Sequence, residues 1–114
     1  MPNTLPRYDG TDGGPIDLAT AQQWTQNFKD ATADPNEIRS HYFGKNIMLT
    51  ILSQTNCSGM RIYYALNNNR EKELILVGVD TNGNDMLPQV GLSGNTLGDA
   101  SFPCPPVCPP QVSL

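Results

Sequence analysis

The residues of this chain best suited to chemistry are its three cysteines and its one histidine. Cys57, Cys104, Cys108 and His41 together make a Cys₃His set, a common structural zinc site, and Cys-x₃-Cys is an allowed ligand spacing. Zinc-binding turns usually donate backbone N–H groups to the sulfurs, and the prolines that follow Cys104 have none. The sequence therefore favours a protein without a cofactor and leaves zinc as the alternative.

Cys104 and Cys108 could also form a disulfide. Four polyproline II steps of ~3.1 Å would place their Cα atoms about 12 Å apart, far beyond the ~4.4–6.8 Å that a disulfide accepts. Only a sharp turn, such as one with a cis proline, would close this gap. The sequence therefore favours free thiols packed as small hydrophobic side chains.

A cysteine nucleophile would be Cys57 with His41 as its base. Catalysis requires the thiolate, which helix N-termini and nearby cations stabilise. Cys57 instead follows the C-terminal end of a predicted helix, where the helix dipole opposes an anion. No phosphate-loop, dinucleotide-binding or hydrolase motif occurs in the chain. A non-enzyme is therefore favoured, with a thiol-based activity as the alternative.

The acidic segment from Asp80 to Asp85 resembles the start of a calcium-binding loop. An EF-hand requires Gly at its sixth position and Glu at its twelfth, where this chain has Asp85 and Gly91. Asn82-Gly83 instead offers the two positive-φ positions of a type I′ hairpin turn. The segment is therefore predicted to be a tight turn.

Composition and charge limit the classes of function. The chain has 114 residues, enough for one domain. Its net charge is −4, and its seven Lys and Arg residues are scattered, which argues against nucleic acid and against acidic membranes as partners. The N-terminus lacks a signal-peptide pattern and no run of apolar residues is long enough to span a membrane, so we expect a cytoplasmic protein.

Three helical segments are predicted to position these residues. The first runs from Asp17, at its N-cap, to about Ala31, with an apolar stripe on one face. The second is a short helical turn over residues 34–40 that begins with a capping box. The third covers about residues 45–53 and is apolar over most of its circumference, so deep burial is expected.

A β-hairpin follows the helices. Residues 60–66 alternate in the manner of a half-buried strand, and residues 74–79 are apolar on both faces, as in a central strand. A third strand over residues 85–90 would be confined to the sheet edge by Pro88. Two apolar faces on so small a sheet predict that the face away from the helices is covered, either by the C-terminal tail or by a second copy of the chain.

Eight apolar side chains from these elements are expected to form one core. They are Trp24, Phe28, Ile47, Ile51, Ile62, Tyr64, Leu74 and Leu76.

The order of several short motifs resembles a family of short, uncharacterised bacterial proteins. The motifs are His41-Tyr42-Phe43-Gly44-Lys45, Cys57-Ser58-Gly59-Met60-Arg61-Ile62-Tyr63-Tyr64, Leu76-Val77-Gly78-Val79-Asp80, Gly83-Asn84-Asp85 and Pro103-Cys104-Pro105-Pro106-Val107-Cys108. The resemblance covers roughly residues 16 to 108 and implies no activity. It implies only that Cys57 and the two tail cysteines are characteristic residues of such proteins.

These observations predict an α+β protein in which two or three helices pack on a small antiparallel sheet. Residues 1–15 are predicted to be a flexible N-terminal arm, residues 16–97 a single domain and residues 98–114 a proline-rich irregular tail. The function predicted is that of a non-enzymatic binding or assembly module whose partner is a protein, in particular another copy of the chain.

Overall fold

The chain has α+β architecture in this computed structural model, which describes residues 5–89, 94–111 and 114. The described residues contain two helices and two small antiparallel sheets, which confirms the predicted class. In chain order the elements are α1 (Leu18–Ala31), β1 (Ser40–Tyr42), α2 (Lys45–Leu52), β2 (Cys57–Leu66), β3 (Lys72–Asp80), β4 (Leu97–Gly98) and β5 (Phe102–Cys104).

The described residues fall into two units. The larger contains residues 5–13 and the described part of residues 43–101, and the smaller contains residues 14–42 and the described part of residues 102–114. The division predicted from the sequence, at residues 15 and 97, remains a prediction. Residues 1–4 of the predicted arm and residues 112 and 113 of the predicted tail lie outside the described residues.

The larger unit is built on the hairpin of β2 and β3. The two strands are antiparallel, as the sequence predicts, and their register places Ile62 opposite Leu76 and Tyr64 opposite Leu74. The third strand is β4, which pairs with β3 and gives the order β2-β3-β4. The predicted third strand does not form as a strand over its described residues: Asp85 makes an isolated bridge with Val79, and Gln89 is a second isolated bridge residue. Its last residue, 90, lies outside the described residues.

Helix α2 packs on one face of this sheet, which we call the helix face. Glycines on β3 and β4 bring the helix close: a Cβ added at Gly78 would lie 3.4 Å from Ile51 Cγ2, and one added at Gly98 would lie 3.2 Å from Ile51 Cδ1. The Ile51 side chain is 0% exposed and that of Leu76 is 1% exposed. The core of the larger unit is therefore centred on Ile51.

Helix α2 is buried less deeply than its composition predicts. Ile51 is its one buried residue, and Met48, Leu49 and Leu52 are all exposed. Eight residues of helix extend about 12 Å, whereas the ten residues of β2 extend about 33 Å. Because the helix spans only part of the strand length, it covers only the part of the helix face around Gly78 and Gly98.

The turn after β3 differs from the predicted type I′ turn. Among the described residues Gly83 has a positive φ, +85°, but Asn82 does not, and a type I′ turn requires both. The Gly83 N–H donates to the Asp80 carbonyl and the Asp80 N–H donates to the Asn84 carbonyl, each at 3.0 Å. Asp80 Oδ1 accepts from the N–H groups of Asn82 and Asn84, so this carboxylate favours a longer Asx-type turn.

Helix α1 belongs to the smaller unit and begins as predicted. Asp17 is its N-cap, and Asp17 Oδ1 accepts from the Thr20 N–H at 2.7 Å. No residue of α1 is buried, however, and Trp24 is 63% exposed. The apolar stripe correctly predicts a helix, but the core role assigned to Trp24 and Phe28 is wrong.

The segment after α1 is a turn rather than the predicted helical segment. The Asp34 carboxylate accepts from the Asn36 N–H, and the Asp34 carbonyl accepts from the Glu37 N–H. These two bonds close a turn at Asp34, and residues 40–42 continue as β1. The end of the predicted helical segment is instead extended and pairs with β5.

The predicted core is correct at its centre and wrong at its margins. Ile51 and Leu76 are buried, Ile47 and Leu74 are partly buried, and the remaining four side chains are exposed. Those four are Trp24, Phe28, Ile62 and Tyr64.

Candidate functional site

Three of the four predicted zinc ligands lie in the smaller unit. Strand β1 pairs with β5, which places His41 opposite Pro103 and Ser40 opposite Cys104. The Arg39 N–H donates to the Cys104 carbonyl at 2.8 Å. This pairing brings His41 and Cys104 onto neighbouring strands. Cys57, the fourth, lies at the start of β2 in the larger unit.

The tail cysteines form a disulfide, contrary to the free thiols favoured by the sequence. Cys104 and Cys108 are bonded, with their Cα atoms 4.7 Å apart. Both the Cys104-Pro105 and the Pro105-Pro106 peptide bonds are cis, and the Val107 N–H donates to the Pro103 carbonyl at 2.9 Å. The segment is therefore a closed turn and not the extended polyproline backbone assumed in the sequence analysis.

Cys57 is a free, half-buried thiol. Its Sγ donates to the Gly59 carbonyl at 3.2 Å. A Cβ added at Gly78 would lie 3.1 Å from the same sulfur. Packing against β3 therefore accounts for a small side chain at this position.

Within residues 5–89, 94–111 and 114, no group of three or more His, Cys, Asp or Glu side chains is arranged to hold a metal ion. The zinc set of Cys57, Cys104, Cys108 and His41 thus remains a prediction from the sequence, without geometric support in the described part of the chain.

A polar cluster lies on the sheet face opposite α2. Asp85 accepts from Arg61 Nη1 at 2.5 Å and from the Tyr63 hydroxyl, and Arg61 Nη1 also donates to the Gly83 carbonyl. The Tyr63 hydrogen bond, with Arg61 as a second contributor, lowers the pKa of Asp85, and the bond to Asp85 raises the pKa of Tyr63. The Arg61 and Asp85 side chains are 37% and 20% exposed, so this cluster ties the turn to β2 at the surface.

The N-terminal segment borders a cleft beside this cluster. The cleft has a volume of about 410 Å³ and is lined by Tyr8, Asp12, Leu52, Met60 and Arg61, among others. The Asp12 carboxylate accepts from the N–H groups of Arg7 and Tyr8. Both charged side chains of the cleft are therefore already partnered, Arg61 by Asp85 and Asp12 by backbone.

A strongly exposed apolar surface of the larger unit is the distal half of the hairpin, defined as residues 62–66 of β2 with residues 72–75 of β3. The Tyr64 side chain is 94% exposed, and Ile62 and Leu66 are each 54% exposed. Alternation along the strand places all three on the helix face, beyond the reach of α2. The sequence instead predicts that the opposite face, beside Tyr63, is the one that needs cover from the C-terminal tail or a second copy, because helices are expected to cover the helix face.

Sequence reasoning assigned no role to Tyr8 or Asp85. Tyr8 lies in the predicted arm, yet its ring atoms Cε2 and Cζ would both be 2.6 Å from a Cβ added at Gly83. A glycine at a turn is explained by φ alone, so nothing in the sequence pointed to this contact. Asp85 could have been found from charge, because Arg61 and Tyr63 on one strand face would attract a carboxylate from the adjoining turn.

No family model, curated protein or solved structure matches this chain. The resemblance to short bacterial proteins therefore remains a prediction. No helix among the described residues is both long enough and apolar enough to cross a membrane.

Proposed function

We infer that this protein is a non-enzymatic binding or assembly module and that its partner is a protein, most simply a second copy of itself. The observation that carries this proposal is the distal half of the hairpin, where Ile62, Tyr64 and Leu66 form an exposed apolar row on regular backbone. Contiguous exposed apolar side chains on an ordered scaffold usually mark an interaction surface.

The polar features of the described residues support binding rather than catalysis. Asp85 is engaged by Tyr63 and Arg61, and Asp12 is engaged by two backbone N–H groups. A general base or nucleophile must reach a substrate proton or carbon, whereas these groups hold the turn and the N-terminal segment in place. The zinc- or thiol-based alternative stays a prediction from the sequence.

Sedimentation equilibrium over a wide concentration range tests the proposal. We expect the full chain to self-associate, and we expect Ile62→Ser with Tyr64→Ser to abolish this association. The matched control is Leu18→Ser with Trp24→Ser, which removes comparably exposed apolar side chains from α1. Equal loss of association in both double variants would show general stickiness and would contradict a hairpin interface.

A further inference from the structure

Among the described residues, strand β2 has an unpaired edge. Within the described residues its strand neighbour is β3, on one side only, because the sheet order is β2-β3-β4. Alternate residues of an edge strand direct their N–H and C=O groups away from the sheet. A ten-residue edge therefore presents a row of backbone donors and acceptors that a further strand could pair with.

The two ends of this edge differ in accessibility. A register shift between Cys57 and Gly59 interrupts the proximal end, and a Cβ added at Gly10 would lie 3.6 Å from the Ser58 carbonyl oxygen. Irregularity and a neighbouring segment both protect an edge from pairing. At the distal end, residues 62–64 and Leu66 are exposed. The accessible edge is therefore residues 62–66.

The accessible edge carries none of the usual protective residues. It contains no proline, lysine or carboxylate, which are the groups that commonly prevent edge-to-edge pairing. The nearest charge on β2, Arg61, is paired with Asp85. Although two chains of net charge −4 repel each other overall, no charge of β2 itself opposes the approach of a second, identical edge.

On these grounds, and resting on the proposed self-association, we propose that two copies pair through antiparallel β2 edges about a two-fold axis at Tyr64. The occupant of the edge is thus a second copy of this chain, and the product is a continuous six-stranded sheet. In this register Tyr64 lies opposite Tyr64 of the second copy, and Ile62 lies opposite Leu66. All of these side chains lie on the helix face, where aromatic and aliphatic cross-strand pairs stabilise a sheet.

The small size of the edge sets the strength of the dimer. Five paired residues on each chain bury less than the roughly 1,200 Å² of total area that marks the low end of specific interfaces. The dimer is therefore weak and exchanges rapidly. A covalent trap is accordingly a better probe than affinity alone.

Cysteine cross-linking tests the register in a Cys57→Ser background. Directly opposite residues of an antiparallel pair have Cα atoms about 4.5–5.5 Å apart, within the range for a disulfide. We expect Tyr64→Cys to give a cross-linked dimer under mild oxidation. Ile62→Cys lies on the same face and is the matched control. Two copies of residue 62 would be offset by four residues, or about 13 Å, so this variant should cross-link at least about tenfold more slowly.

A third variant, carrying Ile62→Cys with Leu66→Cys, should cross-link as readily as Tyr64→Cys. Circular dichroism and peptide mapping of the Cys104–Cys108 bond verify that each variant keeps its fold. Equal cross-linking of the Tyr64→Cys and Ile62→Cys single variants would overturn the proposed register. Self-association of the unmodified chain without cross-linking of Tyr64→Cys would overturn edge pairing but leave self-association intact. A chain that stays monomeric up to about 1 mM, which corresponds to −4.1 kcal/mol, would overturn both.

Discussion

The proximal half of the hairpin, residues 57–61 and 76–80, and the distal half carry similar apolar side chains on the same two strands, yet their burial is opposite. Ile62 and Leu76 are cross-strand neighbours on the helix face, but Leu76 is buried beneath α2 and Ile62 is half exposed. On the helix face this difference arises from the length of α2 and not from hydrophobicity. Apolar pattern therefore specifies a face, and the neighbouring element decides how much of that face becomes core.

The largest expected effect is at Ile51, the residue of α2 that packs on the proximal half. Ile51→Ala should lower the free energy of unfolding by about 2–5 kcal/mol, because it removes a fully buried aliphatic side chain and leaves a cavity. Leu49→Ala on the same helix is the control, since Leu49 is exposed, and should cost less than about 1 kcal/mol. Denaturant unfolding followed by circular dichroism measures both. A similar loss for the two variants would mean that α2 packs through a different face.

The next effect tests the close approach of α2 to β3. Gly78→Ala places a methyl group 2.9 Å from Gln54 Nε2, and Gln54 is held by bonds to the Ile51 carbonyl and the Thr96 N–H. Overpacking of this kind costs about 1–3 kcal/mol. Gly59→Ala on β2 is the matched control, because a Cβ there meets nothing within 4 Å, and alanine in a strand should be neutral or stabilising. If Gly78→Ala is as well tolerated as Gly59→Ala, the helix is not in close contact with the sheet.

The sequence predicted the elements of this protein better than their environments. The hairpin, both helices and the Asp17 cap follow from local periodicity and capping chemistry, which are encoded in neighbouring residues. The exposure of Trp24 and of Tyr64 could not be inferred, because an apolar stripe does not say which element lies against it. The sequence favours free thiols over a Cys104–Cys108 bond for a related reason: the Cα separation depends on a backbone turn that composition does not specify.

A third test separates backbone conformation from packing at the turn next to the proximal half. Gly83→Ala should cost about 1–2 kcal/mol from the positive φ alone, and displacement of the Tyr8 ring should add to this. In a Tyr8→Ala background the same substitution should cost less, since the ring is absent. A double-mutant cycle on unfolding free energies measures the coupling. Strictly additive costs would indicate that Tyr8 does not pack on Gly83.

A fourth test concerns acid stability on the face opposite α2. The folded-state pKa of Asp85 is lowered by Tyr63 and Arg61, so the carboxylate stabilises the fold above the ordinary carboxyl pKa of about 3.9. This contribution is lost as the pH falls through the folded-state pKa. Asp85→Asn should therefore reduce the loss of stability in acid relative to the unmodified chain, and Tyr63→Phe should do so in part. Identical pH profiles for all three proteins would exclude a role for this cluster.

The smallest effect on monomer stability is expected in the distal half, where exposure is greatest. Tyr64→Ser should change the free energy of unfolding by no more than about 0.5 kcal/mol, as exposed substitutions usually do. The measurement belongs at a protein concentration low enough to keep the chain monomeric, because association stabilises the folded state by mass action. At higher concentrations the free energy of unfolding should rise for the unmodified chain but not for the variant. A loss of several kcal/mol in the dilute monomer would instead place Tyr64 in the core, and the distal half would no longer be available as a binding surface.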